Sequence, residues 1–341
     1  MTELKELAKL NGYTMKQLAT MIDVPYTTLT SMAKTSIEHW NEKIVKKIAE
    51  AFHLTKIDFE NAILGQALTP FIKWVGGKRQ LLPQLLKYMP KDGFNTYYEP
   101  FIGGGALLLR LAPRKAVIND FNPELANAWE VVKKDYKGLS EQLMVHQEND
   151  SKEYYLNIRS ADRDGRINEM TKTQRSARFI YMNKAGYNGL WRVNSKGQNN
   201  VPYGGHSKLN LIPDSLKNVS DYLNRADVTI MNGDYRTASL EAETGDFVYF
   251  DPPYVPVTQS ASFTSYTIDG FGLIQQEQLR DTALELARKG VKVMLSNADV
   301  PLVKDLYADP NFHVHHVQAN RFVNSKAGGR GKVGEVIITT Y

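Results

Sequence analysis

Four consecutive residues, Asp251-Pro252-Pro253-Tyr254, follow directly on the apolar run Phe247 to Phe250. A tetrad specified at all four positions arises by chance on the order of once in a thousand chains of this size. Its members make a compact site for a planar amine. Asp251 offers an anionic acceptor, the proline-fixed backbone of Pro252 and Pro253 offers a carbonyl acceptor, and Tyr254 offers a ring face for stacking. An aromatic amino group is a poor nucleophile because its lone pair is delocalised into the ring. Two acceptors bound to its two N–H groups pyramidalise the nitrogen and free that pair, while the carboxylate balances the positive charge that develops there. Attack on the methyl group of a sulfonium then proceeds by in-line displacement, without a metal or a covalent intermediate. The plainer alternative is a proline-stiffened turn that merely ends a strand.

A second cluster, Glu99-Pro100-Phe101-Ile102-Gly103-Gly104-Gly105, follows one predicted strand and opens a helix. Glycines at such a turn let the backbone approach a nucleotide-like ligand. Asn119-Asp120, at the end of the next strand, puts a carboxylate where a ribose diol would lie. Leu108 stands where a dinucleotide fingerprint has its third glycine, so a pyrophosphate is not expected. A glycine-rich turn without a ligand is the competing reading. His313 and His315 share one face of a predicted strand and His316 takes the other, with no acid nearby in sequence, so no metal is expected.

These clusters need elements to position them. Thr96 to Tyr98, Ala116 to Ile118, Phe247 to Phe250, Val291 to Leu295, Phe312 to Val317 and Val336 to Thr340 read as strands. Ala106 to Leu111 reads as a helix, as does the face Leu279, Ala283, Leu286, which stops at Gly290. This alternation predicts an α/β fold with a doubly wound, Rossmann-like sheet over 67–341. Residues from about 123 to 225 are more polar and broken by glycine and asparagine, and read as an inserted, mostly helical and hairpin region. Residues 1–66 read instead as a small all-α domain. Leu4, Leu7 and Ala8 form one stripe ending at Asn11-Gly12, and Thr14 caps a helix through Met21. Pro25 opens another over Tyr26 to Ala33; Ile44 to Phe52 is a fourth, and Phe59, Ile63 and Leu64 a shorter fifth.

At 341 residues, 42% hydrophobic and 23% charged, the chain has the composition of an ordinary globular protein of about two domains. It has no cysteine, which excludes disulfides, thiol nucleophiles and Cys-ligated zinc. No apolar run approaches the roughly 20 residues of a membrane span, and the N-terminus does not resemble a signal peptide, so a soluble, cytoplasmic protein is expected. The first 66 residues hold eight lysines, eight acids and no arginine, so the whole formal charge of +5 falls on the remainder. Any electrostatic attraction to nucleic acid lies mainly there.

Taken in order, the motifs resemble those of the Dam-type, alpha-group DNA adenine-N6 methyltransferases over nearly 80% of the chain. The resemblance implies S-adenosylmethionine as cofactor, S-adenosylhomocysteine as product, and double-stranded DNA as partner. Phe71-Ile72-Lys73-Trp74-Val75-Gly76-Gly77-Lys78 is similar to the family's opening motif, which implies that Trp74 and Lys78 border the cofactor and Lys73 the DNA. Glu99, Phe101, Gly103 and Gly105 fall on its cofactor turn, Asp120 on its ribose-binding carboxylate, and Asp234-Tyr235 on the pair that holds the cofactor's adenine. Asp251 to Tyr254 matches its catalytic tetrad. Tyr187-Asn188-Gly189-Leu190-Trp191-Arg192-Val193-Asn194 and Asn200-Val201-Pro202-Tyr203 resemble the recognition hairpin of GATC-reading members. There the Tyr-Asn pair wedges into the duplex, Arg192 would read a guanine, and Pro202 would pack on a thymine methyl, with Leu190, Asn194, Asn200 and Tyr203 beside them. Gly205-His206 departs from the basic residue often found after this segment. A basic glycine-rich loop, Asn324 to Lys332, is similar to one that clamps phosphates through Lys326, Arg330 and Lys332, or is simply a hairpin tip.

Residues 1–66 resemble the Cro/repressor type of helix-turn-helix domain in Met15 to Ala19, Val24 and Thr27 to Thr30. That would lay Tyr26 to Lys34 in a major groove, although a neutral module without arginine suits a packing or protein-contact role as well. The leading expectation is methylation of adenine N6 within GATC after base flipping. A cytosine-N4 methyltransferase and a DNA-binding regulator with secondary methyltransferase activity are the rival classes, and a cognate restriction endonuclease is a candidate partner.

Overall fold

The computed structural model describes residues 3–10, 13–35, 37–52, 54, 59–60, 68–255, 271–320 and 332–341. Two compact units divide it. One comprises Met1–Trp74, Gly104–Ala112 and Val131–Arg225; the other comprises Val75–Gly103, Pro113–Glu130 and Ala226–Tyr341.

The second unit is built on one seven-stranded sheet. Its strands are β1 (Tyr97–Glu99), β2 (Lys115–Asp120), β3 (Asp227–Asn232), β4 (Phe247–Phe250), β5 (Lys292–Ala298), β6 (His313–Asn320) and β7 (Lys332–Thr339), in the order β3-β2-β1-β4-β5-β7-β6. All neighbours are parallel except the pairs that β7 makes with β5 and β6. The chain order reverses between β1 and β4, where Tyr97 pairs with Phe247 and Tyr98 with Val248. In an open α/β sheet, such a reversal leaves a crevice beyond the carboxyl ends of the strands. β4 is buried at all four positions, as a central strand covered on both faces must be.

The predicted doubly wound sheet is therefore present, with one addition. β3 carries the sequence Asp227-Val-Thr-Ile-Met-Asn232 and only Val228 is buried, so an edge strand with little apolar patterning escapes a reading based on burial. Strand ends differ by a few residues elsewhere: β2 runs on to Asp120, and β5 and β6 extend to Ala298 and Asn320.

The first unit is helical. Its N-terminal part contains α1 (Glu3–Leu10), α2 (Met15–Met21), α3 (Tyr26–Met32) and α4 (Glu42–Ala51) around a core of Leu18, Leu29, Val45, Ile48 and Phe59. Thr14 caps α2 in a reciprocal capping box with Gln17. Pro25 is the N-cap residue immediately before α3, whose first residue is Tyr26. The polar residues Thr27, Thr28 and Ser31 of α3 are exposed. Asn11-Gly12, Ile63 and Leu64 lie outside the described residues.

Between β2 and β3 the chain forms α7 (Pro123–Lys134), α8 (Tyr136–Glu148), α9 (Lys152–Ser160), α10 (Lys172–Ala185) and α11 (Asp214–Arg225), after the shorter α5 (Leu82–Lys87) and α6 (Ala106–Leu111) earlier on. α10 is buried along most of its length and packs on α8 and α9. The expected hairpin after α10 is largely irregular, with isolated bridges Gly186–Tyr203 and Val193–Asn199 in place of a ladder. Glycines and a proline interrupt the ladder there, and turn-forming asparagines, Asn194 and Asn199, hold the chain by side-chain bonds instead. Among the described residues no helix is long and apolar enough to cross a membrane.

Candidate active site

In the sheet unit, Asp251 leaves the carboxyl end of β4. Its carboxylate Oδ1 is 2.7 Å from Lys78 Nζ, and both side chains are largely shielded from solvent. Burial raises the Asp251 pKa, the adjacent ammonium opposes that rise, and Glu335 adds to it. Lys78 also lies 4.7 Å from the centroid of the Tyr254 ring and donates to the Gly76 carbonyl. The Tyr254 hydroxyl donates to Glu335 Oε2 at 3.1 Å, so the ring is held from its rim while Lys78 sits over its face. Burial, followed by the charge of Asp251, keeps this phenol protonated.

Prolines cannot donate, so the backbone of the tetrad is pinned by other means. Gln276, on α12 (Leu273–Arg288), donates through Nε2 to the Pro253 carbonyl at 2.9 Å. Asn297 of β5 donates to Gln276 Oε1 at 3.1 Å and accepts from the backbone N–H groups of Val255 and Ala298. No described residue donates to the Pro252 carbonyl.

The glycine turn lies at the ends of β1 and β2. Asp120 Oδ2 accepts from Gly103 N–H at 3.1 Å and Oδ1 from Asn122 N–H at 2.9 Å. Burial raises the Asp120 pKa and these backbone donors partly restrain it. The buried Asn119 amide donates to the carbonyls of Pro100 and Gly233, tying the glycine turn to the turn before Asp234. Gly105 takes φ of +67° at the start of α6, a conformation that strains other residues. Phe101 stacks on Tyr235 with ring centroids 5.1 Å apart, and both pack on Phe250. Phe121, directly after Asp120, is 80% exposed. Asp234 is engaged by Arg236, whose guanidinium lowers its pKa. Glu99 is buried and accepts from the Tyr97 hydroxyl.

In the helical unit, Trp74 packs on Phe179, and a Cβ on Gly104 would meet Trp74 and Pro70 at ordinary contact distance. The buried Asn183 of α10 clamps Lys73 on both sides of its backbone and also donates to the Gly189 carbonyl. Tyr187 is 53% exposed, Asn188 is left-handed at φ 57°, and Leu190 is half-buried. Arg192 Nε donates to Asn200 Oδ1 at 2.6 Å, so two of the expected DNA contacts meet on one loop. Asn194 turns inward on that loop, accepting from Lys196 and Gln198, and Pro202 is exposed. The Tyr203 hydroxyl donates to Asp150, which also holds Tyr181. The return strand is anchored by Arg163 on the Asn199 carbonyl, Tyr155 and Arg159 on that of Val201, and Asp162, itself paired with Arg178, on Asn199 N–H.

Sequence reasoning missed Gln276, Asn297, Glu335, Asn183 and Asp150 and gave Asn119 no role of its own; none carries a local signature, because each acts on chain distant from itself. Lys326 and Arg330 lie outside the described residues, as does the side chain of Lys332. Among the described residues no group of three or more His, Cys, Asp or Glu could hold a metal ion; His316 is paired with Asp299 and His315 stacks on Tyr88.

Strand order and the turns at the ends of β1, β2 and β4 define the class, a Rossmann-like methyltransferase domain. The chain belongs to the D12 class of N6 adenine-specific DNA methyltransferases, whose model matches residues 74–323. It is 50% identical over 275 residues to the type II methyltransferase M1.LlaDCHI of Lactococcus lactis subsp. cremoris, covering 80% of this chain and 96% of that one. It is 38% identical over 291 residues to the type II methyltransferase M.MjaIII of Methanocaldococcus jannaschii, covering 80% and 99%. The DNA adenine methylase of Escherichia coli K12 is 31% identical over 274 residues, covering 78% and 93%. The protein is thus an adenine-specific DNA methyltransferase dependent on S-adenosylmethionine, which decides against cytosine N4 as the acceptor.

Proposed function

We propose that this enzyme methylates N6 of adenine within GATC in duplex DNA, on a base flipped out of the stack, with Asp251 and the Pro252 carbonyl as the two acceptors of the amino group. The observation that carries the reading is the Asp251 carboxylate at the end of β4, buried and charge-compensated by Lys78. Gln276 occupies the Pro253 carbonyl, which leaves that of Pro252 to accept the second N–H. Tyr254, fixed through its hydroxyl, supplies the face on which the adenine stacks. Asp251 balances the positive charge that grows on N6 and holds the proton that N6 then releases.

Bound S-adenosylmethionine supplies the methyl group on a sulfonium. The residues beyond β1 and β2 suit such a ligand: Asp120 keeps a lone pair on each oxygen for a ribose diol, and Phe101, Phe121 and Tyr235 offer aromatic surface. Glu99, Gly103, Gly105, Trp74, Lys78 and Asp234 complete the proposed cofactor set. Lys78 would act there through Asp251.

Site choice is assigned to the loop 187–203. Tyr187 and Asn188 would wedge into the duplex, Arg192 would read guanine O6 and N7, and Pro202 would meet a thymine methyl. Lys73, Leu190, Asn194, Asn200, Tyr203, Lys326, Arg330 and Lys332 would support them. Residues 1–66 would form a helix-turn-helix domain separate from the methyltransferase domain at 67–341, with the exposed polar face of α3 toward DNA. The relatives named type II methyltransferases favour a cognate restriction endonuclease as partner, in the cytoplasm.

Replacing Asp251 with Ala tests the chemistry: turnover should fall at least about a hundredfold with cofactor affinity retained. Sequencing of methylated DNA tests the site, and methyladenine outside GATC would refute it.

A further inference from the structure

Gln276 is fully buried at 0% exposure and Asn297 at 1%, yet neither belongs to any motif that reaches substrate. Two neutral amides so placed are stabilised only if their polar atoms are paired, and apolar side chains of similar volume would fill the same space without that demand. Their bonds converge on one short segment. Gln276 Nε2 holds the carbonyl of Pro253, Gln276 Oε1 accepts from Asn297 Nδ2, and Asn297 Oδ1 accepts from the N–H of Val255. The relay therefore grips the chain on either side of Tyr254.

That grip matters because the tetrad cannot hold itself. Pro252 and Pro253 have no N–H, so the two middle positions of the tetrad offer no backbone donor with which to tie the turn to β5. Without an external partner, the peptide between Pro253 and Tyr254 is free to rotate, carrying the Tyr254 ring with it. Rotation would also let the Pro253 carbonyl compete with that of Pro252 for a substrate donor. We infer that Gln276 and Asn297 are positioning residues for methyl transfer, which occupy the Pro253 carbonyl and fix the turn so that the Pro252 carbonyl and the Tyr254 ring are presented together. The inference rests on the proposed role of Asp251 to Tyr254. Misplacing an acceptor lowers the rate of the chemical step while leaving remote binding contacts untouched.

The test uses the full-length enzyme and compares Gln276→Met, which preserves volume but has no donor, with Asn297→Ala, which breaks the relay at its other end. Single-turnover methylation of a GATC duplex, cofactor affinity by titration and duplex affinity are measured for each. The expected result is a rate about tenfold or more below wild type in each variant that folds, with both affinities within about twofold. The double variant should be no slower than the slower single one by more than about twofold, because both changes release the same turn. A smaller loss of rate, or loss of binding in step with rate, overturns the inference. Asp251→Ala run alongside separates the two readings. If it is inactive while Gln276→Met is fast, only the relay falls. If Asp251→Ala turns over like wild type, the reading of the tetrad fails and the relay with it.

Discussion

Lys78 Nζ lies 2.7 Å from Asp251 Oδ1 and 4.7 Å from the centroid of the Tyr254 ring, so one buried ammonium is shared by the carboxylate and the aromatic face of the tetrad. A carboxylate taken out of water next to Glu335 would otherwise be protonated more readily, and the ammonium is the group that opposes this.

Lys78→Met should therefore move the acid limb of the kcat/KM profile to higher pH. The carboxylate is the accepting form, burial already raises its pKa, and removal of the cation raises it further, so activity is lost sooner as pH falls. A pH–rate profile checks this, and an acid limb that stays in place counts against the pairing.

Asp120→Ala should act on cofactor affinity rather than on turnover at saturation. The change removes the acceptor of both Gly103 and Asn122 N–H groups as well as the proposed partner of the ribose. Weakening by about tenfold or more is expected from the loss of charge-assisted bonds. Calorimetric titration with S-adenosylmethionine reads it directly, and unchanged binding would remove Asp120 from the site.

Gly189→Ala should disturb DNA handling and leave cofactor binding alone. Gly189 has φ of +67°, and a Cβ there would fall 2.4 Å from Lys73 Cδ and 2.9 Å from Lys73 Cβ. The backbone strain alone is roughly 1–2 kcal/mol, and relief requires Lys73 or the loop to shift. Thermal unfolding together with duplex affinity measures both effects; a variant with wild-type values for each would show that the contact is dispensable.

His146 gives the fold a pH dependence of its own. It is buried on α8, bonded to the Tyr154 hydroxyl at 2.8 Å and stacked on Tyr181, and burial, aided by Arg178, brings its pKa down to about 4. The unfolded chain takes up this proton near its ordinary value and the folded chain only later, so stability is lost as pH falls from about 6.5 toward 4, by on the order of 3 kcal/mol. Denaturant unfolding of the protein and of His146→Gln across this window should show a flatter profile for the variant.

Loss of Arg192 should relax choice of base more than it weakens binding. A bidentate contact to guanine discriminates by about 1–3 kcal/mol, and Arg192→Ala would remove the proposed one without touching phosphate contacts elsewhere. Methylation rates on duplexes substituted at each position of GATC decide the matter, since a uniform loss across all of them would make Arg192 a general contact.

Local order along the chain was enough to reveal the tetrad after Phe250, the glycine turn before α6, the capping of α2 by Thr14, and the helix face Leu279, Ala283, Leu286. Each of these features is built from residues close in sequence, where proline stiffness, glycine freedom and apolar spacing act over a few bonds. What the tertiary structure decided is which distant groups complete them: Lys78 on Asp251, Gln276 and Asn297 on the turn at Pro253, Asn119 between two turns, and Asp150 with Asn183 beneath the loop 187–203. A lysine, an amide or a carboxylate has the same appearance in sequence whether it is solvated or buried, because its partner is set by strand order and helix packing. The reversal between β1 and β4 brings the end of one motif beside another, and no local pattern encodes that neighbourhood.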